Sequence, residues 1–212
     1  MSLPKACLAL DIGTTMGFAA ARDLVVTPAR PLDASCYSCW PEKLQTKRKD
    51  ERPGMRPKRL RDALASTITA IRAGEFFDEP REPVLVYEDI VFQKGHLAAI
   101  VFGQLLGVIL ETCETLAVEY EAVSPSTYRA YLFGHTGPTE HETLYLVSSL
   151  LDAQWSGETD HNALDAMALL LWKIAVSTNE KTGDVPGLVA PARWCAGSVW
   201  RSALRKKLKA AG

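Results

Sequence analysis

Residues 6–15 read Ala6-Cys7-Leu8-Ala9-Leu10-Asp11-Ile12-Gly13-Thr14-Thr15. An apolar run of strand length ends on a carboxylate, and a glycine turn follows it. Beyond the turn, Met16, Phe18 and Ala20 alternate with smaller residues up to Ala21, which predicts a second strand over 14–21. Leu24-Val25-Val26 and Ala34 to Trp40 supply third-strand material, so the chain is expected to open as three antiparallel strands. A carboxylate at the end of a buried strand is costly unless it is hydrogen-bonded or holds a cation. Asp11 therefore asks for partners elsewhere in the chain.

Outward from this opening, residues 41–57 are polar and basic and contain Pro41, Pro53 and Pro57, which predicts a loop. Leu60, Leu64, Ile68 and Ile71 recur at helical spacing and predict a helix over 57–71. Val84-Leu85-Val86-Tyr87-Glu88 is apolar throughout before its last residue, as expected of a central parallel strand. A helix over 98–116, a strand over 118–123, a short helix from Pro125 and helices over 141–151 and 160–176 follow. The strand–helix alternation predicts an α/β domain with a mixed five-stranded sheet, three antiparallel strands then parallel ones, and helices on both faces. Residues 1–176 are expected to form this domain, and 177–212 a Gly/Pro-rich connector with a basic terminal helix.

Composition is that of an ordinary globular protein: 212 residues, 47% hydrophobic, 23% charged and a net charge of −1. No apolar run of about 20 residues is evident and no signal-peptide pattern opens the chain, so a cytoplasmic protein with no membrane partner is expected. Five cysteines in such a chain imply free thiols, and the Cys36/Cys39 pair lacks a second half-site for zinc. The charge is uneven. Lys43, Lys47, Arg48, Lys49, Arg52, Arg56, Lys58, Arg59 and Arg61 crowd one segment, and Arg201, Arg205, Lys206, Lys207 and Lys209 crowd the tail. Both are footprints for a polyanion.

Four acids carry the chemistry: Asp11, Glu88, Asp160 and Asp165. Asp11 and Glu88 end apolar strands, while Asp160 and Asp165 flank the start of the apolar helix. Carboxylates converging from these places repel one another, and Mg²⁺ or Mn²⁺ relieves this. Two such ions in an acidic cluster are suited to phosphodiester hydrolysis. Helical spacing lets His161 or Asn162 face the same way as Asp165, and Asp160 reaches that side as an N-cap. The segment Ile90 to His96 places Phe92 and Lys94 beside Glu88, where they could meet nucleobases. Two other readings compete. Asp11-Ile12-Gly13-Thr14-Thr15 also suits an actin-like sugar kinase or ATPase, although a second Gly-rich phosphate loop is not evident. A non-catalytic DNA-binding protein of the same fold is the third.

The chain resembles the RuvC-like Holliday junction resolvases of the ribonuclease H-like superfamily over residues 6–176. Leu8-Ala9-Leu10-Asp11-Ile12-Gly13 is similar to the family's first strand and catalytic Asp, and Tyr87-Glu88-Asp89-Ile90 to the strand with its Glu. Phe102-Gly103-Gln104-Leu105-Leu106-Gly107-Val108 is similar to its L-G-Q-x-x-G-V helix, and Asp165-Ala166-Met167-Ala168 to its terminal D-A-L-A. The resemblance implies a Mg²⁺-dependent homodimer that cuts two strands of a four-way DNA junction. It implies Asp11, Glu88, Asp160 and Asp165 as catalytic metal ligands, with Mn²⁺ able to substitute. Lys47, Arg48, Lys49, Phe92 and Lys94 are the expected DNA contacts. Three departures stand out. Asn162 occupies the place of a fourth acid, so Asp160 is favoured over His161 to replace it; Thr139-Glu140-His141 stands where a lysine is expected; and Val91 stands where a base-stacking aromatic is expected, with Phe92 next. With the basic loop and tail, these suggest a divergent, phage-type member, acting in the host cytoplasm.

Overall fold

The protein is described here from a computed structural model covering residues 3–13, 15–24, 37–44, 52, 54–89, 95–150 and 160–182. Five strands run in chain order: β1 (Lys5–Asp11), β2 (Thr15–Ala21), β3 (Tyr37–Lys43), β4 (Glu82–Glu88) and β5 (Glu119–Val123). They form one sheet in the order β3-β2-β1-β4-β5. The first three pair antiparallel, and β4 lies parallel to both β1 and β5. The mixed α/β sheet expected from the sequence is thus observed.

Five helices complete the fold: α1 (Met55–Ala73), α2 (His96–Thr115), α3 (Pro125–Phe133), α4 (Glu140–Leu150) and α5 (His161–Thr182). Successive strand side chains point to opposite faces, so each strand feeds two cores. Leu8, Leu10, Phe18 and Leu85 meet α1 and α2 on one face. Cys7, Ala9, Ala19, Ala21 and Val86 meet α3, α4 and α5 on the other. The second face is floored by small residues, which lets α5 lie close to the sheet. Burial pushes the Cys7 thiol up to about 12, in keeping with a packing role.

In α1 the buried residues are Leu60, Leu64, Ile68 and Ile71, the stripe that the spacing predicts. Each contributes about 2 kcal/mol by leaving water. Gly74 closes the helix in the left-handed region at φ 79°, where a side chain would be strained.

Three expectations are corrected. The loop begins later than residue 41, because β3 continues through Pro41 to Lys43. β3 is an edge strand, where a missing N–H need not break a ladder. The last helix does not stop at 176: α5 runs to Thr182, with Ser177 and Thr178 buried. Finally, α2 has the length and apolar composition of a membrane span. Its Leu105, Val108, Ile109 and Cys113 nevertheless pack against the sheet.

Candidate active site

Asp11 is the last residue of β1, and Glu88 is the last of β4. These strands are parallel neighbours, with Leu10 opposite Tyr87, so both carboxylates emerge at the same, C-terminal end of the central strands. Asp165 arrives from α5, one turn in from its start. A close approach fixes that start. Gly17 pairs with Asp11 across β1 and β2, and a Cβ there would lie 1.8 Å from the Asn162 backbone carbonyl oxygen. Only a glycine admits the first turn of α5 at this spot.

The three acids sense one another. The Asp11 carboxyl is held well above its usual range, first by burial, then by the charge and hydrogen-bonding of Glu88 and the charge of Asp165. Asp165 is also raised, mainly by burial and further by Glu88, while Arg129 opposes the shift. Glu140, where a lysine is expected, adds negative charge toward Asp165 and raises it further. Among the described residues, acids at the site outnumber its cations.

Asp160 sits at the N-cap of α5, the position from which the sequence reading has it reach the site. Its Oδ1 accepts hydrogen bonds from the Asn162 backbone N–H at 3.0 Å and from the Asn162 side-chain amide at 2.9 Å. Its backbone carbonyl accepts from the Leu164 N–H at 3.0 Å. This is an N-cap. Desolvation raises its carboxyl, but the hydrogen bonds from Asn162 and the Ala163 backbone, together with the His161 charge, outweigh this and leave it below the ordinary range. The structure therefore brings together Asp11, Glu88 and Asp165, and commits Asp160 to holding the helix start. His161 is exposed in that first turn.

Two residues not singled out as site residues complete the cluster. Tyr128 and Arg129 lie in α3, which follows β5 at the same end of the strands. The Tyr128 hydroxyl donates to Glu88 Oε1 at 3.0 Å. Burial, followed by the Glu88 charge, raises the Tyr128 phenol, so it stays a donor. Arg129 Nε donates to the Tyr128 hydroxyl oxygen at 3.0 Å. Its Nη2 reaches Glu88 Oε1 at 3.2 Å and Asp165 Oδ2 at 3.4 Å. Burial works against the Arg129 charge, but Tyr128, Glu88 and Asp165 outweigh it and raise its pKa. The only sequence signal for this pair is an arginine beside a buried tyrosine, one turn into the helix that leaves a strand.

The donor set, three carboxylates that repel one another, fits a hard divalent cation. Among the described residues, however, no three ligands are already drawn into a cation cage. A cavity of about 250 Å³ opens beside Asp11, lined by Ile12, Gly13, Leu97, Val101, Phe102 and Leu105 among others.

The expected DNA contacts Lys47, Arg48, Lys49, Phe92 and Lys94 lie outside the described residues, as do the basic tail and Cys36. His96, expected in the apolar loop, is instead the first residue of α2. Part of the basic segment is structural. Lys58 pairs with Asp62, Arg61 with Glu111 at 2.5 Å, and Arg59 donates to the Leu44 carbonyl.

No protein-family model matches this chain, and no curated protein sequence matches it. Solved structures do. Thermus thermophilus RuvC in complex with a Holliday junction substrate superposes with a TM-score of 0.63 at 19% identity, covering 82% of this chain and 96% of that one. The chain has the RuvC-type, ribonuclease H-like fold. A second T. thermophilus RuvC structure gives a TM-score of 0.59 at 17% identity, over 84% of this chain and 96% of that one. The yeast mitochondrial Holliday junction resolvase gives 0.51 at 12%, over 97% and 86%. The resemblance seen in the sequence motifs is thereby matched at the level of the RuvC-type fold.

Proposed function

We propose that this protein is a Mg²⁺-dependent, structure-selective DNA endonuclease that resolves branched DNA, with the four-way junction as its preferred substrate. One observation carries the reading: Asp11, Glu88 and Asp165 converge at the C-terminal end of the central strands, in a fold shared with a RuvC that was solved on a Holliday junction. Asp11, Glu88 and Asp165 would hold the cation, and Mn²⁺ should substitute because it too favours oxygen ligands. The bound cation would supply water activation and stabilise the leaving oxygen. The protein's own share is positional. Gly17 seats α5 so that Asp165 faces the strand ends, Asp160 caps that helix, and Tyr128 tethers Arg129 beside Glu88.

Lys47, Arg48, Lys49, Phe92 and Lys94 are proposed to contact DNA, the cations neutralising phosphate and the ring meeting a base. A homodimer is proposed to match the two-fold symmetry of the junction. Its candidate surface is α2. There Leu97 and Ile100 are exposed, and a Cβ at Gly103 or Gly107 would meet no atom within 4 Å.

The test is cleavage of four-way junction, fork, flap and linear duplex DNA, with Mg²⁺ and with chelator. Paired nicks in the junction, seen only with metal, are expected. Equal cutting of linear duplex would overturn branch selectivity, and no cutting of any substrate would overturn the nuclease reading.

A further inference from the structure

Arg129 occupies an unusual place for a cation in a site meant to bind one. It bridges Glu88 and Asp165 through a single nitrogen, Nη2, at 3.2 and 3.4 Å. Charge-assisted N–H···O bonds are normally about 2.7–2.9 Å. The bridge is therefore loose. Its other tether is Nε, which donates to the Tyr128 hydroxyl, and that hydroxyl in turn donates to the same Glu88 oxygen. The guanidinium carbon sits 5.4 Å from the centre of the Tyr128 ring. The side chain keeps a quarter of its surface exposed, so it has room to move outward without crossing the core.

The deeply buried arginine elsewhere in this fold behaves differently. Arg81 is 1% exposed and bonds Asp23 at 2.8 Å and Glu79 at 2.7 Å. One guanidinium is clamped, and the other is held at arm's length by two carboxylates that the proposed function requires for metal.

Resting on the metal-dependent reading above, we propose that Arg129, steered by Tyr128, is a resident counter-ion. It balances Glu88 and Asp165 in the metal-free protein and competes with the divalent cation for them. The cation binds by displacing the guanidinium, so Arg129 sets how much metal is needed to load the site. Arg129 is in this sense a positioning residue for the carboxylates. A purely supporting arginine would have the opposite effect on removal, because disordered ligands bind metal less well.

The experiment is isothermal titration of MnCl₂ and MgCl₂ into the metal-free, full-length protein, for wild type, Arg129→Gln and Tyr128→Phe, with thermal melts in chelator and in saturating Mn²⁺. Arg129→Gln should bind Mn²⁺ at least about tenfold tighter, as expected when a unit charge a few ångströms from a cation is removed at an effective dielectric of roughly 20. It should melt below wild type in chelator and recover most of that loss in Mn²⁺. Tyr128→Phe leaves the charge but loosens the guanidinium, and should tighten Mn²⁺ binding by a smaller factor of about two to three. It decides the matter should Arg129→Gln not fold. Equal or weaker metal binding in the folded variants would overturn the inference alone. Absence of metal binding in wild type and variants alike would overturn it together with the metal-dependent reading.

Discussion

The two ends of the β1–β4 pair treat charge in opposite ways. The end where β1 and β4 begin is held by ion pairs. Lys5 pairs with Glu119 at 2.6 Å, Arg72 with Glu82, and buried Arg81 with Asp23 and Glu79. At the end where these strands finish, Arg129 reaches Glu88 and Asp165 loosely, and Asp11 forms no ion pair among the described residues. Asp11 is held above its usual range by the resulting repulsion as well as by burial. One end is neutralised within the fold and serves stability. Among the described residues the other end carries more negative than positive charge, which costs stability.

Four experiments can break or sharpen this contrast. The largest effect is expected at the acidic end. Asp11→Asn and Glu88→Gln keep side-chain shape and remove ligand charge, so each should lower cleavage of a four-way junction by on the order of 10³-fold while the circular dichroism spectrum is unchanged. Turnover near wild type in either variant would take that residue out of the chemistry.

At the paired end the effect should fall on stability instead. Arg81→Met removes the buried guanidinium that bonds Asp23 and Glu79, leaves Asp23 to its pair with Arg22, and should lower unfolding stability by about 1–3 kcal/mol in urea titration, with cleavage per folded molecule unaltered. A neutral result would mean that the ion pairs there are replaceable packing.

Gly17→Ala probes the joint between β2 and α5. The new methyl would meet the Asn162 carbonyl, so α5 must shift and carry Asp165 with it. About 1–3 kcal/mol of stability should be lost, along with most of the cleavage activity. Full activity would show that the helix start tolerates displacement.

The smallest effect is a pH dependence. The Asp11 carboxyl titrates above its unfolded value, through burial first and then Glu88 and Asp165. The folded protein therefore favours the protonated form. That contribution is fully present below the ordinary aspartate range and is lost as pH rises through the folded value. In chelator, Asp11→Asn should melt higher than wild type at neutral pH, by on the order of 1 kcal/mol or ~2–4 °C, and the gap should close toward about pH 4. A constant gap across this range would deny the repulsion at this site.

Much of this was legible before the coordinates. The apolar runs before Asp11 and Glu88 place both acids at strand ends, and the stripe Leu60, Leu64, Ile68, Ile71 marks the buried side of α1. Period and polarity suffice where one face must be buried. They fail where a residue's role depends on its neighbours in space. Pro41 looks like a loop signal until β3 is known to be an edge. Asp160 is a favoured cap by residue type, but that its Oδ1 accepts from both the backbone and the side chain of Asn162 is visible only in space. Arg129 in Pro125-Ser126-Thr127-Tyr128-Arg129 carries only the weak mark of an arginine beside a tyrosine. Its role arises because β5 lies beside β4 and delivers α3 to the Glu88 end.

The order in which the cluster's members occur along the chain has a consequence for synthesis. Asp11 and Glu88 can meet once β1 and β4 have paired, but Arg129 and Asp165 are added much later, and α5 must dock across β2 before the set is complete. A nascent chain that has passed only its fourth strand already holds two of the acids and lacks the helix that brings the third. Such long-range closure is slow compared with local folding. The acidic cluster is thus finished last, and a polypeptide still being made has a partial sheet but not the complete set of acids.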